Sequence, residues 1–229
     1  MTSQEPIKVL LKGMADLQES SDHSDLTITC GSDVYKVHKA IVCSQSEFFH
    51  LTCRNHNDPD GDFKEGKTGV VDIPARSDID AEDLKYVKLM IHFLYHMDYL
   101  EVETAKIEAG TSPSVSKDYA IGEGILIHHA MMYAMGDKYG IPGLKSLARS
   151  KFQDTWKHTA AGLVKAIKIA YTSTVDSDKG LRQVIVENLY SNVPNGLSTW
   201  IQMPELDECI KDLPELSYAL LHKQLSLPY

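Results

Sequence analysis

Ten histidines and four cysteines are the side chains of this 229-residue chain with the widest chemical range. His92 and His96 stand at i and i+4 in a stretch of helical periodicity, a spacing that sets two imidazoles on one metal ion. The interior Phe93-Leu94-Tyr95 lacks the catalytic glutamate of a zinc hydrolase motif, and no third ligand follows at a fitting spacing. The alternatives are a metal-dependent hydrolase and two partly exposed or hydrogen-bonded histidines. His128 and His129 are adjacent, so on a helix they point about 100° apart and do not readily chelate one ion. Cys43, close in sequence to His38, is either a thiol nucleophile with Lys39 as its one evident activating cation, or a structural residue of the apolar run Ala40-Ile41-Val42-Cys43. No glycine-rich phosphate loop and no nucleophile elbow is present. An enzyme is therefore the least supported class, and no cofactor is expected.

Bulk properties narrow the classes further. A net charge of -9, from 32 acidic against 23 basic residues, repels a phosphate backbone and argues against direct nucleic-acid binding. Hydrophobic residues at 43% and charged residues at 24% are ordinary globular usage. No apolar run approaches the ~20 residues that span a bilayer, and Met1 to Pro6 lacks the plan of a secretory signal. An intracellular protein of the cytoplasm or nucleus, without a membrane partner, is expected. Cys30, Cys43, Cys53 and Cys209 have no C-x-x-C spacing and lie in apolar or helical contexts, which predicts free buried thiols.

The elements that position these residues follow from periodicity. Lys8 to Glu19 places Val9, Leu10, Leu11, Met14 and Leu17 mostly on one helical face. Asp25 to Cys30 alternates polar and apolar residues, Gly31-Ser32-Asp33 has turn chemistry, and Val34 to His38 alternates again, which predicts a β-hairpin. Two helices follow, with Ser44 or Ser46 capping the one that holds Phe48, Phe49 and Leu51. Asn55 to Gly69 reads as a solvated loop, Val70 to Ile73 as a strand stopped or held at an edge by Pro74, and Ala81 to Met97 as a helix. Tyr99 to Val102 is a candidate short strand, and Thr104 to Gly124 a flexible surface insertion. Helix is predicted from Ile125 to Met135, a break over Gly136 to Gly140, and helix again from Ile141-Pro142 to Trp156. Further helices are expected at Ala160 to Tyr171 and Leu181 to Tyr190, the second capped by Asp176 or Asp178. A last helical stretch, Leu197 to Leu225, is broken by Pro204 and Pro214.

The Ser24-Asp25-Leu26 opening, the Cys30-Gly31 turn, Val37-His38-Lys39, Cys43, Ser46 and Phe48-Phe49 together resemble the BTB/POZ domain, particularly its divergent members in fungal genomes. Val70 to Pro74, Phe93-Leu94-Tyr95 and Gly136 to Ile141 are similar to later parts of that family. The resemblance implies an α+β fold, a small β-sheet covered by helices. It divides the chain into an N-terminal amphipathic helix (1–24), a BTB/POZ domain (25–156) with the insertion at 104–124, and a helical C-terminal extension (157–229).

It also implies a non-catalytic protein-protein interaction module, an oligomerisation unit or adaptor. A transcription or chromatin scaffold without its own DNA-binding domain is the alternative. Asp25 and Lys39 fall where the family forms a charged pair near the dimer groove, so with Val9, Leu10, Met14 and Leu17 they make the expected homodimer interface. The first helix either crosses to a second subunit or covers its own sheet. His38 is expected to hold the strand-to-helix corner, and Phe48 to be structural. Phe63-Lys64-Glu65 keeps the pattern by which BTB adaptors engage a cullin ubiquitin ligase scaffold, which makes Phe63 and Glu65 the expected contact residues.

Overall fold

A computed structural model describes residues 4–54, 65, 68–74, 81–99, 124–156, 162–191 and 203–225. The chain divides into two compact units, the first made of Met1–Gly110 and Met135–Leu147, the second of Thr111–Ala134 and Ala148–Tyr229.

In the first unit, helix α1 (Gln4–Ser20) leads into strands β1 (Leu26–Cys30) and β2 (Asp33–Val37). Gly31, at φ 55°, makes the left-handed turn between them. The strands pair antiparallel with Leu26 opposite Val37 and Cys30 opposite Asp33. Helices α2 (Lys39–Gln45) and α3 (Glu47–Thr52) follow, then β3 (Val70–Ile73), which joins β1 in parallel. The sheet order β2-β1-β3 leaves β3 at an edge, where Pro74, which cannot donate to a ladder, ends it. Alternation along β1 turns Leu26, Ile28 and Cys30 into the core. Helix α4 (Ala81–His96) buries Val87, Met90, Ile91, Leu94 and Tyr95. The result is the expected α+β arrangement, a small mixed sheet with helices.

The helical pattern at Ile125 continues past Gly136 to Lys138 as α5 (Ile125–Lys138), and α6 (Pro142–Trp156) follows. The expected break over Gly136 to Gly140 is thus shorter than the glycines suggest. Gly136 serves close approach instead, since a Cβ there would meet the Lys145 backbone nitrogen at 2.9 Å. Gly140, at φ 58°, is the residue that turns the chain.

In the second unit, α7 (Leu163–Thr172), α8 (Gly180–Ser191), α9 (Pro204–Asp212) and α10 (Pro214–Leu225) pack on one another. Leu163, Ile167, Val184, Ile185, Leu189, Leu206, Leu216 and Leu220 are buried. Pro204 and Pro214 open helices rather than break one, because a missing amide hydrogen costs nothing in a first turn. Asp178, not Asp176, takes the cap role, accepting the Gly180 amide at 3.0 Å. Asp176 pairs instead with Arg182 at 3.5 Å. The Arg182 guanidinium closes the end of α7 by donating to the carbonyls of Ala170, Tyr171 and Thr174. Of the expected strand at Tyr99 to Val102, Tyr99 alone is described, and it is buried outside any strand. The insertion at 104–124, but for Gly124, lies outside the described residues, as do the residues around Trp200.

Candidate functional site

The corner between β2 and α2 is built on His38. The Tyr95 hydroxyl accepts the His38 backbone amide at 2.9 Å and lies 2.8 Å from Nδ1, while Nε2 is 2.6 Å from the Asp22 carbonyl. A hydroxyl has one hydrogen. It goes to Nδ1, which makes Nε2–H the tautomer that donates to Asp22. Three segments, the exit of α1, the start of α2 and the end of α4, are thereby tied to one buried imidazole. Burial pushes the Tyr95 hydroxyl up to about 12, so it stays a donor. Sequence reasoning placed His38 here but missed its partner. The available signal was a tyrosine on the buried stripe of α4, since a buried phenol needs a bond.

Asp25 and Lys39 do meet, as the hairpin brings them to one end of the sheet. The bond that joins them runs from the Lys39 backbone amide to Asp25 Oδ1, at 2.7 Å, so the carboxylate satisfies a free donor in the first turn of α2.

Helix α1 begins at Gln4, one turn earlier than periodicity predicts, and its two halves differ. Met14 and Leu17 are half-buried where the helix packs on α4, and Gln18 Oε1 there lies 2.9 Å from His96 Nε2. The N-terminal half leaves Ile7 56%, Val9 67% and Leu10 65% exposed.

Phe48 and Phe49 separate. Phe49 is 0% exposed and stacks on Tyr139 at 5.9 Å, while Phe48 is 37% exposed and meets the edge of the same ring at 5.1 Å. The structural role expected of Phe48 as a core ring therefore belongs to Phe49. Ser46 makes this docking possible: its Oγ accepts the Phe49 amide at 3.2 Å as the α3 cap and donates to the Tyr139 carbonyl at 2.6 Å. Beside it, an open groove of about 740 Å³ is lined by residues of α2, α3 and the Gly136–Lys145 turn. Lys145 and Asp137 pair across 2.6 Å in its wall.

The candidate metal ligands do not converge. His92 and His96 stack face to face, 3.8 Å between centroids and 13° between planes, which aims their nitrogens side by side rather than at one point. Among the described residues no group of three His, Cys, Asp or Glu side chains is arranged to hold a metal ion. Burial, and the neighbouring His96, push the His92 imidazole below its ordinary value. The four cysteines are free thiols; Cys30, Cys53 and Cys209 are buried and Cys43 is half-buried. No described helix is long and apolar enough to cross a membrane. Phe63 lies outside the described residues; Glu65 is half-buried, and its carbonyl accepts the Gly69 amide at 2.9 Å.

Residues 14–109 match the family model of the BTB/POZ domain. No curated protein matches the chain.

Proposed function

We infer, for a chain whose residues 14–109 match the BTB/POZ domain, a protein-interaction module, that its role is to bring copies of itself together through the N-terminal half of α1. The observation that carries this reading is the asymmetry of that helix. Its C-terminal half is anchored on α4 and its N-terminal half presents Ile7, Val9 and Leu10 to solvent. An apolar patch on an anchored helix is a preorganised surface, which lowers the ordering cost of association. Burying it on both copies contributes roughly 25 cal/mol per Å² before that cost is subtracted. Sedimentation of the full chain at micromolar concentration tests the reading. Dimeric wild type and a monomeric chain lacking residues 1–22 are expected. A monomeric wild type, or a truncated chain that dimerises with unchanged affinity, overturns it.

A second role, as adaptor to a cullin scaffold, is supported by the Phe63-Lys64-Glu65 pattern. Affinity purification that recovers a cullin with the wild-type chain but not with a Phe63→Ala, Glu65→Ala double variant is the expected result. Absence of a cullin from both removes this role and leaves self-association standing.

A further inference from the structure

Helices α8 and α10 pack on one another in the second unit, and both line an open cavity of about 320 Å³ that has Tyr171 of α7 in its wall. That volume is near the lower bound of the roughly 300–1,000 Å³ usual for small-molecule pockets. Tyr171, Val186 and Ala219 supply apolar lining, and Arg182 supplies a positive charge that is 4% exposed. The Ala170, Tyr171 and Thr174 carbonyls and the Thr174 hydroxyl accept from its Nε and Nη2, and the guanidinium lies 4.9 Å from the Tyr171 ring centre. Among the described residues no hydrogen bond leaves Nη1. Asp176 pairs through Nη2 at 3.5 Å but is 92% exposed, and an ion pair so open to water contributes little. A buried cation with one nitrogen unengaged is costly until an anion meets it.

We propose that this cavity binds a small monocarboxylate with an aromatic or aliphatic body, its carboxylate accepting from Arg182 Nη1 and its body resting against Tyr171, Val186 and Ala219. The charge of the lining selects a monoanion. Lys179 and Lys223 join Arg182 on the positive side and Glu187 and Glu215 stand against them, so three cations and two carboxylates leave a single positive charge. Glu187 Oε1 is already engaged, accepting from Gln183 Nε2 at 2.8 Å, while Glu215 repels any anion that enters. A phosphate dianion exceeds that charge and has no use for the apolar lining; one carboxylate matches the charge, and an apolar body covers the rest. Arg182 then has two tasks. Its Nε and Nη2 hold the end of α7 and its Nη1 holds the ligand, so binding links α7, α8 and α10 and stabilises the second unit by mass action. Nothing in this site depends on α1.

The test titrates the isotope-labelled full chain with 4-phenylbutyrate and with octanoate and follows its amide resonances by NMR. The neutral 4-phenylbutyramide and inorganic phosphate are run beside them. Saturable shifts at Val186 and Ala219 are expected with at least one acid, with binding about tenfold weaker for the amide, which cannot make a charge-assisted bond. Phosphate should not displace the acid. Ala219→Phe fills the cavity and should abolish the shifts while the thermal melt stays cooperative, and Glu215→Gln, which removes a repelling carboxylate, should tighten binding. Arg182→Lys keeps the charge but loses the fork and should weaken the acid while leaving the amide unchanged. No saturable shift with either acid, equal affinity for acid and amide, displacement by phosphate, or unchanged binding in a folded Ala219→Phe would each overturn the proposal. Should a variant fail to fold, the wild-type comparison of acid with amide still decides.

Discussion

Tyr95 and His38 share a buried hydroxyl that both accepts the His38 amide, at 2.9 Å, and lies 2.8 Å from the His38 ring nitrogen. One oxygen atom of α4 thereby completes the hydrogen bonding of a corner whose backbone and side chain are both out of solvent. Tyr95→Phe keeps the ring and leaves the amide and Nδ1 without that partner. Stranding buried polar groups costs about 1–3 kcal/mol. A lowered urea midpoint with an unchanged m-value is expected; an unchanged midpoint would mean that water replaces the hydroxyl.

Phe49→Ala and Phe48→Ala should differ although the residues are neighbours. Phe49 is fully enclosed and stacked on Tyr139, and truncating such a ring costs about 3–5 kcal/mol. Phe48 keeps 37% of its surface in water and should cost less than half as much. Equal losses in thermal melts would contradict the assignment of Phe49 as the core ring.

Why the sequence misassigned this pair is physical. Adjacent positions on a helix point about 100° apart, and in a helix as short as α3 no periodicity says which one faces inward. The choice is made by Tyr139, ninety-three residues beyond Ser46, whose hydroxyl reaches its carbonyl. The hairpin, by contrast, was legible because alternation and the Gly31 turn are local. So was the His38 corner, through resemblance. The meeting of Cys43 Sγ and the Cys53 amide on the Phe49 carbonyl was not, since it follows from a helix crossing and carries no spacing rule. The glycines around α5 were half legible: a break was due, but only backbone geometry separates Gly136, held close to Lys145, from Gly140, which turns the chain.

Two glycine substitutions should therefore shift stability in opposite directions. Gly140 sits at φ 58°, and an added Cβ would lie 2.9 Å from the Glu47 Cβ. Gly140→Ala should lose about 1–2 kcal/mol to the left-handed backbone alone, and more through that contact. Gly13 lies inside the exposed surface of α1 with nothing within 4 Å, so Gly13→Ala should gain up to about 1 kcal/mol. Denaturant titration of both variants checks the signs, and a stabilised Gly140→Ala would refute the turn geometry.

His129 makes stability depend on pH. It is 2% exposed, and burial, with smaller contributions from the His128 and Lys151 charges, pushes its imidazole from 6.5 down to about 3. Below 6.5 the unfolded chain takes up a proton that the folded chain refuses, so acid favours unfolding and stability rises with pH across the interval from about 3 to 6.5. Each unit of that interval is worth about 1.4 kcal/mol, which amounts to about 2 kcal/mol between roughly pH 7 and pH 5. His129→Gln removes the titration while keeping a polar side chain, whatever constant penalty it adds. The carboxylates, and His92 with its own lowered imidazole, titrate alike in both proteins and cancel in the difference. Unfolding free energies measured across that range should converge as the pH falls, the wild type losing its lead. Parallel profiles would mean that His129 is charged in the folded chain or reached by water.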